Sequence, residues 1–287
     1  MCPSKEFEDV INFGENPLVN SLLDSPNQKD DPTYPLVVKQ CQRCFLVQIR
    51  DSVDATEIYQ NVDYLFFSSD MPNMDFYFEQ FGKDVQERFI EYGDFLLEIG
   101  SNDGIFLQYL RGFSVLGVDP ATNVVLRALK KGIVTVPQFF TERLAGQIEK
   151  EWKKAKVIMG ANCIAHSNDL RGLMKGVDRL LAPDGVFIVE CNYWGDMVKN
   201  RNYALIYHDH FSYFTLKNWI DFSKKYKMKV FDAVIPPAQG DFLDRKKKAE
   251  RFNIRIFIDR GKRRSTEGMK VILQNEIDTN LHSLEVA

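Results

Sequence analysis

The stretch Phe95-Leu-Leu-Glu98-Ile-Gly100-Ser-Asn102-Asp103-Gly104-Ile-Phe-Leu107 constrains this chain more than any other. An apolar run ends in an acid, passes through a short turn with two glycines, and resumes at Ile105, Phe106, Leu107, Tyr109 and Leu110. That order predicts a buried strand over 95–98, a tight turn, and a helix over about 104–111. Glycine at 100 and 104 lets the backbone approach a ligand where a Cβ would collide. A helix opening after the turn leaves N–H groups facing the same space. A second strand, Ser114-Val-Leu-Gly-Val118, ends in Asp119, where an acid can take the two hydroxyls of a ribose. The turn reads E-x-G-x-x-x-G and not the dinucleotide pattern G-x-G-x-x-G. Acids at Glu98 and Asp103 would repel a pyrophosphate there. The alternative is a glycine turn that serves packing alone.

From this turn onward, strands alternate with helices. Strands are expected at 114–118, 133–136, from 157, at 186–190 and at 229–234, with helices near 121–131, 142–152, 168–181 and 216–227. Strands separated by helices of this length imply a parallel, doubly wound sheet with right-handed crossovers. Ligands collect at the carboxyl ends of such strands. Glu98, Asp119, Asn162, His166, Glu190 and Tyr193 all fall at or just beyond strand ends. Ahead of the sheet, Met74 to Tyr92 reads as a helix with Phe76, Phe78, Phe81, Val85, Phe89 and Ile90 on its apolar face. After it, a strand over 252–258 and a helix over 266–281 follow a basic run (Arg245, Lys246, Lys247, Lys248, Arg251) that reads as a solvated loop.

The chain of 287 residues carries a formal net charge of −3, which argues against a general nucleic-acid binder. No apolar run reaches the length of a membrane span, and Met1-Cys-Pro-Ser-Lys-Glu-Phe-Glu lacks the apolar centre of a signal peptide. A cytoplasmic location is expected. Three of the five cysteines fall in the first 44 residues. Cys41-Gln-Arg-Cys44, between strand-like segments, has the spacing at which two thiolates hold one tetrahedral zinc. Cys2 is the one upstream candidate for a third ligand. Two readings stand side by side: a structural zinc site short of one ligand, or a hairpin that kept two cysteines.

Three of the four histidines fall at His166 and in the loop Tyr207-His208-Asp209-His210. On an extended strand His208 and His210 would share a face and Asp209 would oppose them, so a single metal site from all three is awkward. A histidine near neutral pKa is a natural general base. Of the aromatic stretch Tyr64-Leu-Phe-Phe-Ser-Ser69, Tyr64 is singled out as a further site candidate.

The turn at 98–104 resembles the S-adenosylmethionine (SAM) turn of class I methyltransferases. Glu98 to Gly104, Gly117-Val-Asp119-Pro120, Phe139-Phe140, Asn162-x-x-Ala-His166, Pro183-Asp-Gly-Val-Phe187 and Tyr207-His-Asp-His-Phe-Ser-Tyr213 together resemble the sugar C-methyltransferase family. Asn16-Pro-Leu-Val-Asn20 and the C-x-x-C at 41–44 are similar to that family's zinc-binding N-terminal module. The likeness spans roughly residues 10 to 240. It implies a Rossmann-like α/β methyltransferase domain over 53–234, a zinc-knuckle-like module over 1–52, and a truncated C-terminal α/β extension over 235–287.

It further implies a SAM-dependent enzyme that methylates the carbon beside a ketone of a nucleotide-linked deoxysugar. SAM would be held by Glu98, Gly100, Asn102, Gly104, Asp119, Phe139, Phe140 and Asn162, and zinc by Cys2, Cys41 and Cys44. His210 would match the general base. Asp209, where most relatives carry glutamate, would orient it, and Tyr207, Tyr64 and His166 would stabilise an oxyanion or hold the sugar. The Gly-Gly-Ser-Leu-Arg turn and further domain expected of relatives are replaced here by Gln239-Gly-Asp-Phe-Leu and the basic run. O- or N-methylation of a small molecule, or a SAM-fold binding protein without turnover, are the other readings.

Overall fold

A computed structural model describes residues 2–23, 25, 31–60, 63–236 and 253–279. The basic run at 245–251 and the expected helix beyond residue 279 lie outside the described residues. The N-terminal part pairs β1 (Phe7–Pro17), β2 (Thr33–Cys41) and β3 (Val47–Ile49), followed by the short helix α1 (Ala55–Tyr59) and the long helix α2 (Met74–Phe89). On α2, Phe78, Phe81, Val85 and Phe89 are buried as the periodicity predicts, while Phe76 is exposed.

Strand and helix then alternate through β4 (Phe95–Ile99), β5 (Ser114–Val118), α3 (Thr122–Lys130), β6 (Thr135–Val136), α4 (Glu142–Glu151) and β7 (Ala155–Ala161). They continue as α5 (Leu170–Leu180), β8 (Leu181–Asn192), α6 (Trp194–Lys199), β9 (Ser212–Tyr213), α7 (Leu216–Lys224), β10 (Lys229–Val234), β11 (Asn253–Asp259) and α8 (Glu267–Asp278). The helices start where side chains can satisfy their first N–H groups. Thr141 accepts from Leu144 N at 3.2 Å, and Asp169 accepts from Gly172 N at 2.9 Å. Thr215 and Asn218 form a reciprocal capping box at α7.

Seven strands form the central sheet in the order β10-β11-β8-β7-β4-β5-β6. The pairs β4–β5, β4–β7, β5–β6 and β7–β8 are parallel, whereas β11 runs antiparallel between β8 and β10. The expected doubly wound sheet is present, with one reversed strand. The segment 253–279, set apart from the sequence as part of a trailing extension, places β11 inside this sheet. Apolar layers cover both faces, one including Leu97, Ile158, Phe187 and Trp219, the other Phe81, Leu96, Phe106 and Phe257.

The helix expected over 104–111 is absent. Its place is taken by irregular turns and a 3-10 segment at Leu107–Leu110. Within 105–110 only Gln108 and Tyr109 are partly exposed, and Ile105, Phe106, Leu107 and Leu110 are all buried. They fill the space under α2, where Phe81 and Phe106 lie 5.2 Å apart. An amphipathic helix needs a continuous polar face, and here only the adjacent Gln108 and Tyr109 offer polar groups, both bonded to Asp75 of α2.

A second sheet has the order β1-β2-β3-β9. Its last strand comes from far along the chain: Val47 pairs with Tyr213 and Gln48 with Ser212. The N-terminal part is therefore hydrogen-bonded directly to the segment that follows the His-Asp-His loop.

Candidate active site

The chain leaves β4, builds β5 and β6 on one side, and returns to place β7 beside β4 on the other. That reversal opens a crevice at the carboxyl ends of the strands. A cavity of about 1160 Å³ occupies it, lined by residues from the ends of β4, β5, β7 and β8, from 138–141, from 205–210 and from Val19–Asn20.

One end is built by the glycine turn. Gly100 has φ +65°, and a Cβ there would lie 2.3 Å from the Cβ of Cys163. Gly104 has φ +78°, and its Cβ would meet the Ile133 side chain at 3.1 Å. Asn102, at φ 48°, donates its backbone N–H to Asp119 Oδ2 at 2.9 Å, and Ala121 N donates to Oδ1 at 2.9 Å. Burial pushes Asp119 up to about 6, and these two N–H groups hold it from rising further. The Asn102 side chain accepts from Ser68 N at 2.9 Å and donates to Phe66 O at 2.9 Å, tying the stretch around Tyr64 over the turn. Phe139 and Phe140 line the wall beyond Asp119. Asn162, in the left-handed region at φ 53°, follows β7 and accepts from Asn253 Nδ2 at 3.0 Å.

The other end holds four aromatic or histidine side chains in two pairs. Residues 207–210 form a turn closed by His210 N donating to Tyr207 O at 3.0 Å. This overturns the extended-strand expectation. Asp209 and His210 both face the cavity with Tyr207, while His208 turns away, its Nε2 3.2 Å from Tyr34 O on β2. A tight turn does not alternate its side chains as a strand does. His210 Nδ1 lies 2.8 Å from Leu205 O, so Nδ1 carries the proton. Its Nε2, 2.9 Å from Tyr207 Oη, is then the acceptor. Burial lowers His210 to about 4, partly offset by the Leu205 carbonyl. Asp209 is pushed up to about 6 by burial, against the Asn20 amide that donates to it at 3.3 Å.

His166 stands edge-on to His210, ring centroids 4.7 Å apart. Its Nδ1 lies 2.5 Å from Tyr59 Oη. Burial drives its pKa well below the ordinary value, His210 adds to this, and the Asn162 carbonyl opposes it. Tyr64 packs on Tyr59 at 5.4 Å.

Not every sequence-predicted residue reaches this cavity. Glu98 is fully buried beneath the turn. Burial first, then Asp119 and Asp103, raise its pKa well above the carboxylate range, and Oε2 has no hydrogen-bond partner among the described residues. Gly104 supports the turn from behind. Asp103 is buried against Lys131 Nζ at 3.0 Å and Arg127 Nε at 3.5 Å. Neither acid therefore presents a negative charge to a ligand, and repulsion of a pyrophosphate by that pair does not hold. Asp119 is the acid that faces the cavity. Glu190 is held by Arg255 Nε at 2.8 Å and Tyr77 Oη at 2.5 Å, and the buried Tyr193 does not line the cavity. Tyr59, Asn20 and Asn253 were not singled out from the sequence. Nothing local marks Tyr59, whose partner lies 107 positions away.

Residues 75–227 match the family described as a methyltransferase domain. That span exceeds half of the chain. The chain belongs to the methyltransferase domain family. Residues 1–59 match a family described as a zinc binding domain. The C-methyltransferase NovU of Streptomyces niveus is 33% identical over 244 residues, covering 84% of this chain and 58% of that protein. The chain thus spans little more than half the length of that curated relative. Among solved structures, the plantazolicin methyltransferase BpumL in complex with SAH superposes with a TM-score of 0.50 at 15% identity, over 71% of this chain and 92% of that one. This likeness shows the class I methyltransferase fold.

Ahead of the methyltransferase domain, the sulfurs of Cys2, Cys41 and Cys44 lie within 4.8 Å of one another, with Cys2 and Cys41 3.4 Å apart. Tetrahedral zinc with Zn–S bonds near 2.3 Å places its sulfurs roughly 3.8 Å apart. The cluster fits three of the four ligands of such a site. Burial opposes ionisation of Cys41, but the backbone N–H groups of Cys44 and Arg43 and the neighbouring thiols outweigh it and bring it to about 7. Burial pushes Cys44 up to about 12; a bound cation would reverse that shift, since a coordinating thiol is deprotonated outright. Among the described residues, no helix is long and apolar enough to cross a membrane.

Proposed function

We propose that this chain transfers a methyl group from SAM to the carbon beside a ketone of a nucleotide-linked deoxysugar, with His210 as general base. The observation that carries this reading is the state of His210. Its Nδ1–H is committed to the Leu205 carbonyl, so the Nε2 lone pair faces a cavity that also contains Asp119 and the glycine turn. A neutral imidazole aimed at the space between cofactor and acceptor is what removal of a carbon-bound proton requires.

The turn at Gly100, Asn102 and Gly104 would hold SAM, with Asp119 on the ribose, Phe139 and Phe140 beside the adenine, and Asn162 at the amino-acid end. Glu98 supports the turn from below as a neutral acid. When bound, SAM supplies an electrophilic methyl group. The resemblance to NovU supports a carbon acceptor, and the two Tyr–His pairs support enolate chemistry. A substrate carbon seated against His210 Nε2 would displace the Tyr207 hydroxyl toward the ketone oxygen. His210 takes the proton. Asp209 balances the imidazolium, while Tyr207, Tyr64 and His166 offer hydrogen bonds to the oxyanion. A positioned base of this kind is worth roughly 10²–10⁴-fold in rate.

The test is incubation with SAM and a panel of nucleotide-linked keto-sugars, read by mass for one added methyl group. Solvent deuterium exchange at the carbon beside the ketone is followed alongside it. His210→Asn should abolish exchange and transfer while SAM still binds. Methyl gain on a hydroxyl or amine with no carbon exchange would replace this reading with O- or N-methylation. No SAM binding at millimolar cofactor would remove it altogether.

A further inference from the structure

We infer that Tyr59 is a positioning residue for His166, donating its hydroxyl proton to Nδ1 and thereby placing the imidazole proton on Nε2. The role of that Nε2–H as a donor to the substrate oxyanion rests on the carbon-acid reading above; the tautomer itself does not.

Tyr59 closes α1, whose first turn is fixed by Asp54 accepting from Thr56 N at 2.8 Å. Its ring is buried in the N-terminal core, 5.4 Å from Tyr64 and 6.4 Å from Phe139. From there the hydroxyl reaches through the cavity wall to His166 Nδ1, 2.5 Å away. Burial raises the phenol pKa well above its ordinary value, so Tyr59 is a neutral O–H at all working pH values. Among the described residues, His166 Nδ1 is the one hydrogen-bond partner of this hydroxyl. Were Nδ1 the protonated nitrogen, it would donate to the phenol oxygen and leave a buried O–H with no acceptor, an arrangement folded proteins avoid.

Donation by Tyr59 removes that conflict. A neutral imidazole carries one proton, and with Nδ1 accepting, the proton sits on Nε2. The ring cannot readily take a second proton, because it is buried and His210 stands 4.7 Å away. When His210 becomes an imidazolium, repulsion holds His166 neutral more firmly. The two pairs are then complementary. Tyr207–His210 has Nδ1 protonated and Nε2 as acceptor, the arrangement of a base. Tyr59–His166 has Nδ1 as acceptor and Nε2 protonated, the arrangement of a neutral electrophile that can stabilise oxygen charge without losing its proton. Two histidines of identical chemistry are sorted into opposite roles by what each Nδ1 meets, a carbonyl in one case and a phenol in the other.

The test uses the full chain labelled with ¹⁵N-histidine, observed at pH 7 by long-range ¹H–¹⁵N correlation. The chain has four histidines, and His166→Asn assigns the signal. The expected result is an Nε2–H ring at His166, and its conversion to a mixture or to Nδ1–H in Tyr59→Phe, which keeps the packing ring. An Nδ1–H ring in the unaltered protein, its proton shared with the Asn162 carbonyl, would overturn the inference. So would a His166 spectrum that Tyr59→Phe leaves unchanged. With a keto-sugar that turns over, Tyr59→Phe should lower kcat at least about tenfold, slow the His210-dependent deuterium exchange with it, and leave KM nearly constant. An unchanged kcat beside an altered tautomer would refute the catalytic part. If no keto-sugar is methylated, the carbon-acid reading fails, and the NMR result still decides the role of Tyr59.

Discussion

Acidification should silence this site through Asp209 well before it reaches His210. Burial moves the two groups in opposite senses, the carboxyl up to about 6 and the imidazole down to about 4. On these values Asp209 is roughly nine-tenths ionised at pH 7 and roughly one-tenth at pH 5, while His210 is still about nine-tenths neutral at pH 5. A reaction that needs the Asp209 carboxylate therefore loses about tenfold in kcat/KM between pH 7 and pH 5, whereas one that needs only neutral His210 loses about a tenth. Unfolding should not confuse the measurement. Asp209 binds its proton more tightly in the native state, so it adds stability as pH falls from about 6 toward 4. His210 binds its proton less tightly in the native state and removes stability as pH falls from about 6.5 toward 4. Each effect is on the order of 3 kcal/mol, and they oppose each other. The assay is methyl transfer from pH 4.5 to 8, with circular dichroism at each pH. Asp209→Asn cannot ionise, so its rate should fall at pH 7 and its remaining acid limb should move down toward 4. With SAM held saturating at every pH, so that the Asp119 step in cofactor binding does not enter, an Asp209→Asn limb that stays near pH 6 means another group is titrating and the assignment is wrong.

Four further outcomes test other parts of the structure. If Asp119 takes the ribose hydroxyls as an anion, its pKa of about 6 makes SAM affinity about tenfold weaker at pH 5 than at pH 7; calorimetry should show this dependence, and Asp119→Ala should lack it. Gly100→Ala combines φ +65° with a Cβ 2.3 Å from Cys163 Cβ, so it should cost a few kcal/mol and abolish SAM binding. Gly93→Ala, at φ +89° with nothing within 4 Å, isolates the backbone term and should cost only about 1–2 kcal/mol by denaturant titration. Arg255→Met leaves the buried Glu190 carboxylate without its cation and should destabilise by about 3–5 kcal/mol, with Glu190→Gln/Arg255→Met recovering much of the loss.

The alternating pattern of buried strands and capped helices was legible because it is local. Leu96, Leu97, Val157, Ile158, Ile188 and Val189 read as central strands and are central strands. Misreadings arose where tertiary packing overrode the local signal. The segment after Gly104 was too apolar to be a surface helix, and α2, which precedes the sheet in sequence, returns to cover it. The strand at 253–259 was visible, but its place between β8 and β10 was not, because antiparallel insertion depends on partners such as Glu190 for Arg255.

Charges misled for a related reason. Counting Glu98 and Asp103 as acids near the turn was correct in sequence and wrong in electrostatics, since one is held neutral by burial and the other is paired with Lys131 and Arg127. A charge acts on a ligand only when it is ionised, unpaired and exposed to the cavity, and only Asp119 near the turn meets these conditions. The same reasoning applies to the histidines. His166 and His210 are equivalent in sequence, and residue type alone cannot say which accepts a proton and which keeps one. Their contacts differ, with Leu205 and Tyr207 at His210 and Tyr59 at His166. Of those partners, Tyr59 comes from the N-terminal segment. That segment also supplies Asn20 to Asp209, pairs β3 with β9, and receives His208 at Tyr34. The N-terminal part is thus one wall of the cavity, and a sheet that began at β4 alone would leave His166 without the Tyr59 contact that distinguishes it from His210.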